Sequence, residues 1–497
     1  MIDNFSLVLN DDDKIAIIGE EGNGKSTLLK IINQDKSLNE YVTYDGEIAI
    51  NEDVVGYLPQ RIDVNWLDKH LSDYFIKQEP DDKTSEYDTL KWSRMLEMAA
   101  KFRLDKRLIT EDHCLKTLSG GELIKIQLIK IMIDEPDVLL LDEPTNDLDI
   151  KALYFLEQFM LTQKIPIIFV SHDEMLLKKV ANGIIHIEQL KKKQEAKCSF
   201  LPISYQEYLD YRNQKLIKDT MIARKEKAEY DIKKDKWQRL YQSVDYNLNA
   251  VSRQDPHQAK MLKRKMTAVK AQKRKLDAID LPKIPDHEEA INLFFPSVNL
   301  PKQKIILNLN VPTLAINDRV LANDINLFIR GNSKVVIIGD NGVGKTTLLN
   351  LIYQKLIQNN IRVGYMRQNY IDKKDEDLSC LQYLGVDKNK QEAILVRKYL
   401  GNLKFTFDET EQAVRDLSGG QRAKLVLLDL VYHAYPVILM DEPTRNLSPL
   451  TNPVIQKMIK QYQGCVIAIS HDRSFIDAIA DKVYELRSDG LVEVNAD

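Results

Sequence analysis

One glycine-rich pattern occurs twice in this chain of 497 residues, at positions 19–26 and 339–346. Each copy has the form G-x-x-x-x-G-K-[S/T], follows a short apolar run and continues as Thr-Leu-Leu. In a strand–loop–helix context the glycines let backbone N–H groups surround a phosphate, the lysine neutralises its oxygens and the hydroxyl ligates Mg²⁺. The chain is therefore predicted to contain two α/β domains that each bind a nucleoside triphosphate.

A pair of acidic residues follows a second apolar strand in each half. Asp142-Glu143 comes after Val138–Leu141, and Asp441-Glu442 comes after Val437–Met440. At such a strand end one carboxylate suits Mg²⁺ and the next suits polarising a water molecule. Two acids at a strand end also fit a helix N-cap, but the neighbouring phosphate loops favour the catalytic interpretation.

The two halves are separated by a long stretch that contains few structure breakers. Residues 205–241 lack Gly and Pro and are rich in strong helix formers, and Asp255-Pro256 is typical of a helix start. In the second segment an apolar stripe recurs at helical spacing, formed by Leu262, Met266, Val269 and Leu276. We therefore predict an antiparallel helical hairpin whose tip, at about 242–256, has no helical core face. The predicted domains are 1–196, 197–296 for the linker and 297–497.

The linker is basic although the chain is acidic. Residues 201–280 carry a net charge of +8, whereas the whole chain carries −4. Such an asymmetry favours a polyanionic partner, although a solvated linker helix explains the charge equally well. The candidate RNA contacts are Lys260, Lys263, Arg264, Lys265 and Lys270, with Tyr246, Leu248, Val251 and Arg253 at the tip.

Further motifs make a family resemblance specific. In order, the first half has Gln60, Leu118-Ser119-Gly120-Gly121-Glu122 and Ser171-His172-Asp173, and the second has Gln368, Leu417-Ser418-Gly419-Gly420-Gln421 and Ser470-His471-Asp472. This order resembles the nucleotide-binding domain of ATP-binding cassette (ABC) proteins. The resemblance implies two ATP sites that close head to tail within one monomer. Site one would join Gly19–Ser26 and Glu143 to Ser418–Gln421, and site two would join Gly339–Thr346 and Glu442 to Ser119–Glu122.

The resemblance also implies roles for single residues. Glu143 and Glu442 would be catalytic, with His172 and His471 contacting the γ-phosphate. Mg²⁺ would be held by Ser26, Gln60, Asp142, Thr346, Gln368 and Asp441. ATP would be bound by Gly19, Gly22, Asn23, Gly24, Lys25, Ser26, Thr27, Ser119, Gly120, Gly121, Gly339, Asn341, Gly342, Gly344, Lys345, Thr346, Thr347, Ser418, Gly419, Gly420 and Gln421.

Three departures from the family pattern concern the two sites, and the last of them predicts that the sites are unequal. Glu21 stands where Asn is usual, and the strand that stacks on adenine is missing before Gly19. The loop after the second acidic pair has Ser448 where the first has Asp149.

Two fused cassettes with a basic hairpin between them look like the ABC-F family of ribosome-associated ATPases. The run Thr444-Arg-Asn-Leu-Ser-Pro-Leu450 is similar to its antibiotic-resistance branch of the Lsa, Vga and Sal type. The resemblance implies binding to the 70S ribosomal E site in the ATP-bound state, with the linker acting near rRNA, the P-site tRNA and the peptidyl transferase centre. The drugs concerned are lincosamides, streptogramin A compounds and pleuromutilins.

Three alternatives stay open at this point: a housekeeping translation factor that rescues stalled ribosomes, the ATPase of a membrane exporter, and a DNA-repair ATPase. The chain has no apolar run long enough to span a bilayer, and Asp3 and Asp11–Asp13 are unlike a signal peptide. The four cysteines are far apart and lack metal-ligand spacing. We therefore expect a cytoplasmic protein with no transmembrane partner.

Overall fold

The computed structural model describes residues 5–20, 22–35, 37–38, 42–43, 45–49, 54–77, 89–190, 195–250, 256–278, 298, 300–316, 319–403, 405–445 and 447–494. The chain divides into two compact units. Met1–Tyr205 and Ile291–Asp497 form one, and Gln206–Ala290 form the other. We call the parts of the first unit before and after the linker the first and second cassettes.

The first cassette is built on a six-stranded sheet with the order β2-β3-β4-β1-β5-β6, in which only β6 pairs antiparallel. Strands β1, β3 and β4 are buried along their full length, as expected for parallel strands covered on both faces. The strands are β1 Lys14–Gly19, β2 Val55–Leu58, β3 Val138–Asp142, β4 Ile167–Val170, β5 Gly183–Leu190 and β6 Glu195–Leu201.

Helices cover this sheet and carry most of the polar motifs at their N-termini. They are α1 Lys25–Ile32, α2 Val64–Leu67, α3 Leu71–Ile76, α4 Thr89–Lys101, α5 Lys106–Thr110, α6 Gly120–Ile133, α7 Ile150–Thr162 and α8 Glu174–Val180. A 3₁₀ turn, Leu115–Thr117, precedes α6. Strands β1 and β3 lie on either side of β4 in the middle of the sheet. The phosphate loop follows β1 and the acidic pair follows β3, so both lie at the same carboxyl edge of the sheet.

The linker unit is an antiparallel hairpin of two helices, α9 Tyr205–Ala250 and α10 Pro256–Asp277. Val244, Met266 and Val269 are buried together, with Trp237 and Tyr241 packed against them. The Trp237 Nε1 also donates to the Val269 carbonyl oxygen at 2.8 Å. The predicted hairpin is therefore confirmed, and so is the predicted start of its second helix at Pro256.

The predicted tip is wrong over residues 242–250, which continue the first helix. The apolar stripe that holds the hairpin together includes Val244, which is 5% exposed. The last turns of α9 therefore have a core face, contrary to the prediction. Tyr246 is 74% exposed on that last part of α9 and Leu248 is partly buried. Val251 and Arg253 lie outside the described residues.

The second cassette repeats the first sheet, with the order β10-β11-β12-β9-β13-β14 and only β14 antiparallel. An additional antiparallel hairpin, β7-β8, precedes it. The strands are β7 Ile305–Ile316, β8 Arg319–Arg330, β9 Lys334–Ile338, β10 Val363–Met366, β11 Val437–Asp441, β12 Cys465–Ile469, β13 Lys482–Arg487 and β14 Gly490–Val494. The two predicted cassettes of P-loop α/β fold are thus confirmed.

Helices also surround this second sheet. They are α11 Lys345–Gln358, α12 Cys380–Tyr383, α13 Lys390–Asn402, α14 Phe407–Glu411, α15 Gly419–Tyr432, α16 Asn452–Gln461 and α17 Arg473–Ile479, with 3₁₀ turns at Lys373–Asp375 and Val414–Asp416. Strand β6 extends to Leu201, so the first sheet passes the boundary predicted at residue 196.

Candidate nucleotide sites

Each phosphate loop bridges a buried strand and a helix, as the pattern predicts. The first connects β1 to α1 and the second connects β9 to α11. The residues that cap the two helices, Gly24 and Gly344, have φ values of 83° and 106°. Glycine adopts this left-handed backbone without a Cβ clash, so it allows the chain to turn sharply into the helix. The helix N–H groups consequently face the loop.

The two loop lysines are buried and fold back over their own loops. Lys25 Nζ donates to the carbonyl oxygens of Gly19 and Glu20, both at 3.1 Å. Lys345 Nζ makes the same contacts with Gly339 at 2.8 Å and Asp340 at 3.0 Å. A lysine held this way points its charge into the concave side of the loop, where a phosphate would sit.

A hydroxyl and a carboxylate meet in each cassette. The Ser26 Oγ donates to Asp142 at 2.9 Å, and the Thr346 Oγ1 donates to Asp441 at 3.0 Å. Burial raises the pKa of Asp142 to about 6, and burial also raises the pKa of Asp441. A hydroxyl and a carboxylate are both hard oxygen ligands, and side by side they fit a divalent cation such as Mg²⁺.

The glutamate of each acidic pair has a strained backbone. Glu143 has φ 52° and Glu442 has φ 53°, which is uncommon for residues other than glycine. Such strain is retained when the surroundings hold a side chain in a required place. That both glutamates show it supports the prediction that they have the same role in the two cassettes.

The two glutamates nevertheless differ in their surroundings. Glu143 Oε1 lies 2.7 Å from His172 Nε2, whereas Glu442 Oε1 lies 3.7 Å from His471 Nε2. Burial favours the neutral acid, but the charge and hydrogen bond of His172 outweigh it and lower the pKa of Glu143. Burial and the neighbouring Asp441 raise the pKa of Glu442 to about 8, and burial and Lys345 lower the pKa of His471 to about 3. The two glutamate–histidine pairs therefore differ between the cassettes.

The signature motifs open helices α6 and α15. The Ser119 side chain and the Glu122 carboxylate cap each other's backbone N–H groups, and Ser418 and Gln421 make the same reciprocal pair. Gly121 lies against α7, where a Cβ would stand 3.0 Å from the Ala152 Cβ. The capping boxes fix the start of each helix.

The structure brings the first signature motif to the second phosphate loop. A Cβ on Gly120 would lie 3.6 Å from Asn341 Nδ2 and would collide with the Asp147 carbonyl oxygen. Asn341 Nδ2 donates to that same carbonyl oxygen at 2.6 Å. This is the arrangement predicted for site two. The matching approach of Ser418–Gln421 to Gly19–Ser26 stays a prediction.

A cavity of about 890 Å³ lies at site two. Its lining includes predicted ATP and Mg²⁺ residues of the second cassette, namely Asn341, Gly342, Gly344, Lys345, Thr346, Thr347, Gln368, Asp441, Glu442 and His471. Residues of the first cassette close it, among them Thr145–Leu148 and His172. Ile316, Arg319 and Leu321 of the β7–β8 hairpin form part of its wall. The volume suits a small-molecule ligand held by both cassettes.

The remaining predicted residues of site one lie at the carboxyl edge of the first sheet. Asn23 is buried and its Nδ2 donates to the Ile187 carbonyl oxygen at 3.0 Å. Gly22 has φ 75° and Thr27 is partly buried on α1. Gln60 is exposed just after β2. Glu21 lies outside the described residues.

Sequence reasoning missed several residues that join the cassettes. Arg445 Nη2 lies 2.8 Å from Asp147 Oδ1, Lys151 Nζ lies 2.8 Å from Asp340, and Arg473 pairs with Glu157. An internal alignment would have pointed to two of them. Arg445 stands where the first cassette has Asn146, and Arg473 stands where it has Glu174.

The predicted RNA contacts lie on α10. Lys260, Lys263, Arg264, Lys265 and Lys270 are all exposed on this helix. Within the residues that the structure describes, no helix is long and apolar enough to cross a membrane.

Comparison with protein families decides the identity of these sites. The family described as "ABC transporter" matches residues 2–146 and 322–445, which cover both phosphate loops and both acidic pairs. The chain belongs to the ABC transporter family. Its cassettes are therefore ATP-binding domains, and the protein is an ATPase.

Relatives of this ABC protein place it among the ABC-F ATP-binding proteins. It is 29% identical to the ATP-binding protein Uup of Buchnera aphidicola, over 100% of this chain and 79% of the relative. It is 28% identical to the putative ATP-binding protein YdiF of Bacillus subtilis, with the same coverage. The Arabidopsis thaliana ABC transporter F family member 2 is 28% identical over 78% of this chain and 55% of its own length.

Solved structures share the fold of this ABC-F protein. The archaeal ribosome recycling factor aABCE1, solved with the ribosomal stalk protein aP1, superposes with a TM-score of 0.55 and 15% identity. The superposition covers 98% of this chain and 87% of that one. At this identity the likeness concerns the fold alone.

Proposed function

We propose that this protein is a ribosome-binding ABC-F ATPase that acts in the cytoplasm. The observation that carries the proposal is the basic linker. Residues 201–280 have a net charge of +8 in a chain of −4, and their lysines and arginines on α10 face solvent. A structural neighbour is described as a ribosome recycling factor, which agrees with this partner. Such a surface suits rRNA and tRNA phosphates.

ATP would act by stabilising one arrangement of the cassettes. Site two contains groups from both cassettes, so a bound Mg²⁺–ATP would favour their closed pairing. Lys345, Thr346 and Asp441 would hold the phosphates and the ion, and Glu442 would orient the attacking water. The closed protein would bind the 70S E site, with the linker beside the P-site tRNA and the peptidyl transferase centre. Hydrolysis would then allow release.

Two biological roles use this same cycle. The Thr444–Leu450 run, similar to the resistance branch, favours protection of the ribosome from lincosamides, streptogramin A compounds and pleuromutilins. The short interval between α9 and α10 favours the housekeeping role, because only residues 251–255 separate the helices. A connection of five residues spans at most about 18 Å even when fully extended.

The test is co-sedimentation of the Glu143→Gln/Glu442→Gln double variant with 70S ribosomes in the presence of ATP. We expect stable binding that the triple charge reversal Lys263→Glu, Arg264→Glu, Lys265→Glu abolishes. Unchanged binding of the triple variant would contradict the role of the linker. No binding by the double variant would reject the ribosome as partner and favour the exporter ATPase.

Drug susceptibility then separates the two roles. Cells that express the wild-type protein are compared with cells that express the Glu143→Gln/Glu442→Gln variant, with lincomycin and tiamulin as the drugs. Raised tolerance with the wild type alone would support ribosome protection. Ribosome binding without raised tolerance would support the housekeeping factor.

A further inference from the structure

Asp147 is held from two directions by the second cassette. Its backbone carbonyl oxygen accepts a hydrogen bond from Asn341 Nδ2 at 2.6 Å. Its carboxylate Oδ1 lies 2.8 Å from Arg445 Nη2. Asp147 has φ 59°, so its backbone is strained in addition to being held by these two contacts. Strain of this kind persists only where surrounding contacts over-determine the conformation.

Asp147 is also tied to the first catalytic glutamate. The Asn146 N–H donates to the Glu143 carbonyl oxygen at 3.2 Å, which closes a turn from Glu143 to the residue before Asp147. Two residues later the Asp149 carboxylate caps α7 by accepting from the Ala152 N–H at 2.9 Å. Movement of Asp147 would therefore be transmitted to both ends of this loop.

Arg445 is itself fixed from within the second cassette. The Tyr370 hydroxyl donates to the Arg445 carbonyl oxygen. Tyr370 is 6% exposed and lies two residues after Gln368, which lines the site-two cavity together with Arg445. The guanidinium is thus presented across the cassette interface at the edge of the nucleotide cavity.

The first cassette does not carry the same residues. Counting from the shared motifs, Asn146 stands in place of Arg445 and Ile62 stands in place of Tyr370. Asn146 has no charge and Ile62 has no hydroxyl. An ion pair of the Arg445–Asp147 type is therefore not available to site one from the equivalent positions.

We propose that Arg445 is a positioning residue of site two, which holds Asp147 of the first cassette against the second phosphate loop and so sets the affinity of this one site for ATP. Both residues of the pair line the same cavity as Lys345. Because a partly exposed ion pair couples weakly by itself, its effect depends on the neighbouring Asn341 bond that restricts the same residue. The inference concerns the ATPase itself and is independent of the ribosome as partner.

A double-mutant cycle tests the pair directly. Arg445→Asn introduces the residue of the first cassette, and Asp147→Asn removes the charge while keeping a residue that tolerates positive φ and the carbonyl that Asn341 contacts. Both are made in a Lys25→Ala background of the full chain, which leaves site two as the working site. Binding of the N-methylanthraniloyl derivative of ATP with Mg²⁺ is measured by fluorescence.

Each single variant is expected to weaken binding about tenfold, and the double variant no more than either single one, as contacting residues do. Arg445→Lys should restore affinity to within about threefold, since it keeps the charge but loses the planar fork. In a Lys345→Ala background, where site one is measured, Arg445→Asn should change affinity less than twofold. Lys482→Ala, at an exposed ion pair with Glu493 in the second cassette, is the control and should also change site-two affinity less than twofold.

Additive losses in the double variant would overturn the proposal, as would equal losses at both sites. So would wild-type affinity in both single variants. If Arg445→Asn does not fold, Asp147→Asn decides the question alone, because its side chain is 63% exposed and its loss leaves no buried group unpaired.

Discussion

The Arg473 guanidinium pairs with the Glu157 carboxylate, although 316 residues separate them in the chain. Glu157 lies on α7 of the first cassette and Arg473 opens α17 of the second. Both are buried, with exposed side-chain fractions of 1% and 9%, and Lys179 adds a second cation at 2.9 Å from Glu157. The two cassettes are thus joined by a buried charge cluster outside the nucleotide sites.

Removing one partner of this pair should be costly. Glu157→Gln introduces the residue that stands at the matching place in the second cassette, Gln456. The buried guanidinium then keeps only the more distant Asp173 carboxylate, whose Oδ1 lies 3.5 Å from Arg473 Nη2. We expect the free energy of unfolding to fall by about 3–5 kcal/mol, measured by urea denaturation. Glu493→Gln, which breaks an exposed pair with Lys482, is the control and should cost less than about 1 kcal/mol. Equal losses in the free energy of unfolding would show that the buried pair contributes no more to stability than the exposed pair.

The glutamates at the ends of β3 and β11 should both contribute to ATP hydrolysis. Glu143→Gln and Glu442→Gln keep the size of the side chain and remove its capacity to accept a proton. The double variant should hydrolyse ATP at least about 100-fold more slowly than the wild type, while still binding nucleotide. Release of inorganic phosphate under excess ATP measures the rates. Wild-type rates in both single variants would disprove the assignment.

Most of the site could be predicted because its signals are local. The phosphate loops, the acidic pairs and the capping boxes each lie within a few residues, and each needs a fixed order of strand, loop and helix. Contacts such as Arg473 with Glu157 depend on how two cassettes pack, and no local pattern encodes that register. The misplaced linker tip has another cause. Val244 completes a stripe with Trp237 and Tyr241, but three apolar residues in a polar segment give a weak periodic signal.

Stability should depend on pH through Asp472, which caps α17 by accepting from the Phe475 N–H at 3.1 Å. Burial and the nearby Asp173 raise the pKa of Asp472 to about 7. The folded protein therefore binds a proton that the unfolded chain, with an ordinary aspartate, has already lost. Stability from this group falls as pH rises from about 4 to about 7. Between pH 8 and pH 6 we expect Tm to increase on acidification, and Asp472→Asn, which retains the cap, should remove that part of the increase. Thermal unfolding followed by circular dichroism at pH 6, 7 and 8 measures it.

Gly120 should tolerate no side chain. A Cβ at this position would collide with the Asp147 carbonyl oxygen and would also press on Asn341. Gly120→Ala should therefore push the first signature motif away from the second phosphate loop and lower ATP turnover by about tenfold or more, the cost of a displaced positioning group. Gly401→Ala, where the added Cβ meets open space, is the control. Unchanged turnover in Gly120→Ala would mean that the close packing does not matter for hydrolysis.

The hairpin should depend on Met266 more than on its neighbours. Met266 is 7% exposed against Val244 and Val269, whereas Met261 on the same helix is 51% exposed. Met266→Ala should lower the stability of the hairpin by about 2–5 kcal/mol and speed hydrogen exchange in α10, with little change in basal ATP turnover. Met261→Ala should alter exchange much less. Similar exchange in both variants would show that the small cluster does not hold the helices together.

The Arg473–Glu157 pair also bears on which surfaces of two chains can meet. If two second cassettes from separate molecules faced each other, each Arg473 would find Gln456 where Glu157 should be, and the buried guanidinium would lose its carboxylate. If two first cassettes met, Glu174 would take the place of Arg473 and two buried acids would oppose each other. Only unlike cassettes satisfy these charges. Fusion of the two halves in one polypeptide supplies that unlike partner at high effective concentration, so matched pairing is obtained without a second molecule.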